Sequence, residues 1–404
     1  MDRIILHCDL NNFYASVECA LNPELRDFPL AVAGSKENRH GVVLAKNEIA
    51  KKFGVKTGDV IWQAEQKCPG LRVVPPHFDH YTKYSDEIFE LYTHYTDMVE
   101  PFGSDECWLD VTGCTRLFGN GKQIADTLRE RVKQEFGLTL SVGVSFNKIF
   151  AKLGSDLKKP DATTVISREN FKSMIYHLPA SDMLMVGKKT SEKLTKLNIH
   201  TIGDLAAADE SLLKAHFGIN GPRMIMSARG LDDEPVRKYH VSREIKSVGH
   251  GMTAKKDITS FDDAQALIYY LSELVAMRMR KYKVKGCGVA LHVRFNDLTN
   301  VSKQTSTPPL NTSDKITDVA LSMYKTLVTK PVRAISVSVF ALNREDISQT
   351  SMFDEIDTKS ERLEKAIDKI RSKYGKSVIN RATLIERDFI YDKTDSEDFL
   401  PFKR

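Results

Sequence analysis

Several things this sequence lacks narrow what it can be. There is no Cys-x-x-Cys pair: the six cysteines, Cys8, Cys19, Cys68, Cys107, Cys114 and Cys287, are scattered, several within apolar runs. That spacing excludes a disulfide framework and a cysteine zinc site, and predicts free thiols in a reducing compartment. No apolar run approaches the ~20 residues that cross a bilayer. The opening "MDRIILHCDL" carries acids at positions 2 and 9, unlike a signal peptide. A soluble, cytosolic protein without a membrane partner is expected. Long repeats and low-complexity tracts are also missing, so neither a solenoid nor a disordered chain is indicated. With 41% hydrophobic and 28% charged residues the composition is that of a globular protein. At roughly 100–200 residues per domain, the length suggests two to four domains.

A strong net charge is missing too, at only +5, but the charge is unevenly spread. Residues 243–345 hold 16 Lys and Arg against 9 Asp and Glu, a net of +7, which leaves 5 − 7 = −2 for the rest. A basic segment on a near-neutral body fits a polyanion partner, although a solvated basic face would look the same.

Along the chain, "RIILHCDL" reads as a buried strand and "NNFYASVECALNPEL" as a helix that Asn11 or Asn12 could cap. "PLAVAG", "GVVLA" and "LRVVPP" are strand-like; "NEIAKKFG", closed by Gly54, and "WQAEQKCPG" are short helices. A long amphipathic helix is expected over about residues 80–98, then the strand "CWLDVTG", a helix over 120–136 closed by Gly137, the strand "LTLSVGVS", a helix ended by Pro160 and the strand "TTVI". This irregular mixture predicts an α+β fold. Residues 167–232 read as helices with Gly-bearing turns, and 233–250 as extended and basic. Residues 250–345 carry helices near 262–281 and 312–329, strands such as "CGVALHVRF" and "RAISVSVFAL", and a loop at Thr307-Pro308-Pro309. The tail holds one charged helix, "TKSERLEKAIDKIRSKYG".

The chemistry concentrates in acids. Asp9 ends one strand, and Asp105 and Glu106 begin another within "PFGSDECWLD". If the strands are neighbours, three carboxylates meet at one sheet edge, which suits hard divalent cations such as Mg²⁺ and in-line phosphoryl transfer between two of them. Successive strand residues face opposite ways, so Asp105 and Glu106 can share a site only at a strand mouth or bulge, which Gly103 and Ser104 would permit. The same spacing also fits a solvated turn with Asp105 capping backbone amides. In "DLNNFYASVE" a helix starts directly after the acid, offering free amides to a triphosphate, with Phe13 and Tyr14 beside the sugar; Phe13 equally fits core packing. "KIFAKLGSDLKKPDA" gathers Lys148, Lys152, Lys158 and Lys159, point charges for phosphate or simply a solvated face.

These stretches resemble the Y-family translesion DNA polymerases, nearest to the bacterial DinB or polymerase IV group. The matching blocks are "LHCDLNNFYASVE", "FGVKTGD", "SDECWLDVTG", "LSVGVSFNKIFAKLGSDLKKPDATTVI", "FGINGPRMIMSARGLDDEPV" and "KSVGHGMT", in family order from residue 1 to about 345. The resemblance implies an α+β multidomain right hand: a palm with a ferredoxin-like sheet (1–10 and 75–166), small fingers (11–74), a helical helix-hairpin-helix thumb (167–232), a linker (233–242), an α+β little finger (243–345) and a tail (346–404). It implies addition of dNTPs to primer-template DNA with two Mg²⁺ ions, for which Mn²⁺ can substitute, at low fidelity and without proofreading, by a monomer acting at the nucleoid. By family match Asp9, Asp105 and Glu106 are the catalytic, metal-binding carboxylates, and the Leu10 carbonyl also reaches a metal. Tyr14 is the steric gate against a ribose 2′-OH, and Lys159 grips the triphosphate.

One block departs from the family. Where Thr, Tyr and Arg usually contact the triphosphate, "GVVLAKNEIAKKFGVK" has Ala45, Glu48 and Lys51. Glu48 is expected to point away, and Lys51, or else Lys46 or Lys52, to supply the charge. The thumb hairpins expected to hold DNA phosphates are "MLMVGKKTSEKLTKLNI", at Gly187 and Lys188, with Met185 at a family glycine position, and "FGINGPRMI". The basic segment, including Lys246 and Lys283 and densest in "MRMRKYKVKG", is expected along duplex phosphates. "QTSMF" resembles the peptide that bacterial replication proteins insert into the sliding β-clamp, through Gln349, Met352 and Phe353. Two rivals remain at this level: a two-metal nucleotide cyclase, which needs neither hairpins nor a basic domain, and a non-catalytic DNA-binding module, which the altered fingers block keeps open.

Overall fold

A computed structural model describes residues 2–34, 41–241, 244–344, 358–375 and 378–384. They form two compact units that part at residues 242–243. Among the described residues no helix is long and apolar enough to cross a membrane.

The first unit contains eight strands: β1 (Ile5–Leu10), β2 (Leu30–Ala33), β3 (Val43–Lys46), β4 (Arg72–Val74), β5 (Val99–Pro101), β6 (Glu106–Asp110), β7 (Leu140–Ser145) and β8 (Thr163–Ile166). Five of them make one sheet in the order β5-β6-β1-β7-β8. β1 is fully buried because it lies at the centre, with both faces covered. Its period-two alternation sends Leu6, Cys8 and Leu10 into the main core with Phe89, Tyr92, Ile124 and Leu128, from the Phe78–Thr93 and Gly121–Phe136 helices. Ile5 and His7 go the other way, toward Ala151 and Ser155 of the Lys148–Leu157 helix. That helix packs close to the sheet because position 143 is glycine: a Cβ there would lie 1.9 Å from the Ala151 carbonyl. The helix expected to run to about residue 98 stops at Thr93, because Val99–Pro101 is taken up pairing with β6.

Neither Asn11 nor Asn12 caps the Phe13–Leu21 helix. Asn12 adopts a left-handed conformation (φ 51°) and donates from Nδ2 to Glu48, while Asn11 Nδ2 donates to Ser141 and Asn11 Oδ1 accepts from the Asp161 amide. A smaller sheet, β3-β2-β4, packs Ala31 and Val43 against Ala50, Val55, Ala64 and Cys68. Residues 171–228 are short helices, two of which, Glu210–Phe217 and Asn220–Ala228, approach so closely that a Cβ on Gly221 would sit 2.3 Å from the Leu213 carbonyl. Extended residues beyond 230 return to the first sheet region, where the Arg237 amide donates to Glu100 and the Tyr239 amide to the Asp97 carbonyl.

The second unit is an antiparallel sheet of β9 (Ser247–Ile258), β10 (Val284–Phe295), β11 (Asn300–Leu310) and β12 (Val332–Arg344), ordered β11-β10-β12-β9, with the helices Phe261–Lys281 and Ser313–Leu327 packed on it. Thr307-Pro308-Pro309 is not a loop but part of β11. β11 is an edge strand, and the register with β10 shifts between Gly286 and Gly288, so the prolines take the place of amides that have no ladder partner to serve. Much of the densest basic run is also not free for phosphates. The Arg280 side chain is largely covered and pairs with Glu364 and Asp368, and Lys285 Nζ lies 2.7 Å from Glu361, all on the Thr358–Tyr374 helix; Arg278 bonds the Gly249 carbonyl and His250. The tail helix therefore docks on this unit through its acids.

Candidate active site

The β1–β6 register sets Asp9 directly opposite Glu106. Cross-strand partners share a face, so both carboxylates project toward the Lys148–Leu157 helix. Asp105 stands one residue before β6, its carbonyl accepting from the Leu10 amide at 3.0 Å, after a turn in which Gly103 has φ +102°. The strand-mouth arrangement thus brings all three acids to one cleft. It is about 310 Å³ and is lined by Asp9, Leu10, Phe13, Tyr14, Asp105, Glu106 and Lys159, with Leu44, Ala45, Lys46 and Thr57 contributed from the region of β3.

Lysines stand among the acids. Lys152 Nζ lies 2.8 Å from Glu106, 3.5 Å from Asp9 and 3.3 Å from Asp156; Lys159 Nζ lies 2.7 Å from Asp9 and 2.8 Å from Asp156. Beneath them His7, fully buried, has Nε2 3.3 Å from Glu106 and Nδ1 2.8 Å from Ser155 Oγ. Burial lowers the His7 pKa, so the imidazole is neutral at ordinary pH. Burial would raise Glu106, but His7 and Lys152 outweigh it and hold the carboxyl at about 2. Asp105 lacks such a partner: burial, then the charges of Glu106 and Asp9, push it up to about 7. Asp9 is raised by burial, with Lys159 opposing.

The donor set is chemically matched to a hard divalent cation: carboxylate oxygens only, in excess of the lysines that face them, with one acid, Asp105, raised by burial and then by its acidic neighbours. Among the described residues no three such side chains stand ready to coordinate an ion, because Lys152 and Lys159 lie among them.

Tyr14 is fixed by aromatic neighbours. Its ring stacks on Tyr81 with centroids 4.3 Å apart and meets Phe78 edge-on at 6.0 Å, while Tyr81 donates its hydroxyl to Glu18 at 2.5 Å. Phe13 both lines the cleft and belongs to the main core. The fingers block divides. Glu48 is turned from the cleft, accepting from Asn12 Nδ2 at 2.9 Å. Lys51, expected to meet the triphosphate, does not line the cleft; its Nζ lies 3.4 Å from Glu48 because both extend from one short helix turn. Lys46 lines the cleft instead. Lys148, grouped with the phosphate lysines from sequence, is buried on Glu100 and Glu234 at 2.9 and 3.0 Å.

Two residues of the site, His7 and Lys152, had no individual role in the sequence reading. A period-two count along β1 would have found His7, since it shares its face with Asp9. Gly187 is exposed at the start of the Lys188–Lys196 helix, beside Met185, which is 83% exposed at φ +71°. Lys188, Lys246 and Lys283 are exposed, the latter two in the second unit. Gln349, Met352 and Phe353 lie outside the described residues.

Comparison with known proteins identifies the family. The impB/mucB/samB family description matches residues 8–156, and that of the same family's C-terminal domain matches residues 245–352. The chain is 46% identical to DNA polymerase IV of Acetivibrio thermocellus over 396 residues, covering 96% of this chain and 98% of the relative. It is 35% identical to DNA polymerase IV of Clostridium kluyveri, covering 96% and 99%, and 35% identical to DNA polymerase IV 1 of Bacillus subtilis, covering 96% and 94%. Among solved structures, a chimeric Y-family DNA polymerase aligns with a TM-score of 0.75 at 25% identity, over 84% of this chain and 99% of the other. With its α+β fold and its acid-lined cleft, the chain belongs to the bacterial DNA polymerase IV branch of the Y family, the DNA polymerases of translesion synthesis.

Proposed function

We propose that the chain adds dNTPs to the 3′ end of a primer on template DNA by metal-assisted phosphoryl transfer at Asp9, Asp105 and Glu106. The meeting of these three acids with Lys159 and Tyr14 in one cleft carries the reading. The acids and the Leu10 carbonyl would hold the divalent ions, Mg²⁺ or Mn²⁺. When bound, such ions activate the attacking 3′ oxygen and neutralise charge on the leaving pyrophosphate. Lys159, now on Asp9, is within reach of a triphosphate entering the same cleft, and Phe13 and Tyr14 would flank its sugar. The Tyr14 ring, backed by Tyr81, would stand where a ribose 2′-hydroxyl must go and so select against it. The right-hand division stands as part of this proposal: palm (1–10, 75–166), fingers (11–74), thumb (167–232) and little finger (243–345). Gly187 and Lys188 in the thumb, and Lys246 and Lys283 in the little finger, would meet DNA phosphates without reading sequence. Gln349, Met352 and Phe353 would engage a sliding clamp, on the strength of their sequence pattern.

Primer extension on a primed template with dNTPs and Mg²⁺ tests this directly. Extension by the natural chain and its loss in Asp105→Ala are expected; extension that survives in Asp105→Ala would overturn it.

A further inference from the structure

We propose that Lys46 is a phosphate-binding residue for the incoming nucleotide, supplying from β3 the cation that the rest of the fingers block does not. The inference rests on the polymerase reading above and names one more residue of its substrate site.

Position comes first. Lys46 is the last residue of β3 and, with Leu44, Ala45 and Thr57, lines the same cleft as Asp9, Asp105, Glu106 and Lys159. Ala45 beside it is short, so the wall next to the ammonium carries no bulky side chain.

Its charge is the second observation. Lys152 lies within ion-pair distance of three carboxylates and Lys159 of two. Lys46 has no carboxylate within that distance among the described residues; its Nζ donates to Thr57 Oγ1 at 3.1 Å. Glu48 and Asp59 act on it only from beyond ion-pair distance, so this partly buried ammonium, hydrogen-bonded to a neutral hydroxyl, has lost hydration without gaining a counter-ion in contact. An anion entering the cleft restores that balance, and phosphate oxygens are the acceptors an ammonium serves well as a point charge. Thr57 orients the group, since its hydroxyl sits between Nζ and the Leu44 carbonyl.

Two neighbouring cations are otherwise engaged, and Lys52 does not line the cleft. Lys51 lies against Glu48, and Lys67 Nζ lies 2.7 Å from Asp59. Glu48, the carboxylate that would repel a triphosphate, does not line the cleft, and its Oε1 accepts from Asn12 Nδ2.

A triphosphate and a DNA backbone phosphate share this chemistry, and the measurement separates them. Steady-state extension and anisotropy with labelled primer-template are measured for the natural chain, Lys46→Ala, Lys46→Arg and Thr57→Val. Extension by the natural chain first establishes the underlying reading independently. Lys46→Ala is then expected to raise the dNTP KM about tenfold, as for loss of one charge-assisted contact, with kcat and DNA affinity held within about twofold; Lys46→Arg restores most of the KM, and Thr57→Val gives a smaller rise. An unchanged KM in a folded Lys46→Ala variant would overturn the assignment. So would a loss confined to DNA affinity, which would place Lys46 on a DNA phosphate.

Discussion

Lys159 Nζ lies 2.7 Å from Asp9 Oδ2, so the lysine expected on the triphosphate rests on an acid expected at the metal. With Lys152 it fills the carboxylate cluster with protein cations. Three converging acids would otherwise repel one another inside a partly buried cleft, and the two ammonium groups offset that repulsion. On the proposed function, divalent ions would displace these lysines from the acids and leave them free for a triphosphate.

Replacing Lys159 should therefore separate binding from folding. Lys159→Ala is expected to raise the dNTP KM by roughly tenfold or more, as a charge-assisted contact is lost. In the absence of divalent ions it should also lower thermal stability, because Asp9 loses its nearest cation. A paired measurement of KM and of melting temperature checks both, and a variant unchanged in either has lost one of the two roles.

The raised Asp105 links metal to pH. Its pKa of about 7 in the folded chain lies above the ordinary 3.8, so the fold binds this proton more tightly than the unfolded chain does. Stability from this group is fully present below about pH 3.8, falls progressively as pH rises from there and is lost by about pH 7, with a ceiling of about 4 kcal/mol. A divalent ion relieves the repulsion that appears there. The rise in melting temperature on adding Mg²⁺ should be larger at pH 8 than at pH 6, and Asp105→Asn should flatten the difference.

Sugar selection should depend on one ring. Tyr14→Ala removes the side chain that Tyr81 and Phe78 hold in the cleft. Incorporation of ribonucleotides relative to deoxyribonucleotides should rise by about two orders of magnitude, on the scale by which a clash or misplacement of ~1 Å alters rate. Single-nucleotide incorporation with matched rNTP and dNTP measures the ratio.

A test of architecture lies at Gly143. A methyl group there would meet the Ala151 carbonyl at 1.9 Å and the Ser155 amide at 2.5 Å, both backbone atoms of the helix that carries Lys152. Gly143→Ala is expected to cost about 3 kcal/mol or more of stability by overpacking. Denaturant unfolding reads the loss; a variant as stable as the natural chain would mean that the helix can stand farther from the sheet.

Much of the site was legible in the sequence. An acid ending a buried strand, a helix start with Phe13 and Tyr14, and adjacent acids after Gly103 are local features, and local propensity and spacing are what a sequence displays. The two-residue period of a strand narrowed a shared site for Asp105 and Glu106 to a strand mouth or a bulge and left a solvated turn open. The tertiary structure decided which charges were spent. Lys46, Lys51 and Lys52 are equal as letters, yet one lines the cleft and another lies on Glu48. Lys148 looked like a phosphate ligand until Glu100, 48 residues away, was found beside it. Arg280 and Lys285 looked free for DNA until the tail helix supplied Glu364, Asp368 and Glu361. Pro308 and Pro309 read as a loop because only the sheet order reveals an edge strand. In each case the deciding partner is distant in sequence. Pairing energies depend on separation in space and on burial, and a linear pattern carries neither.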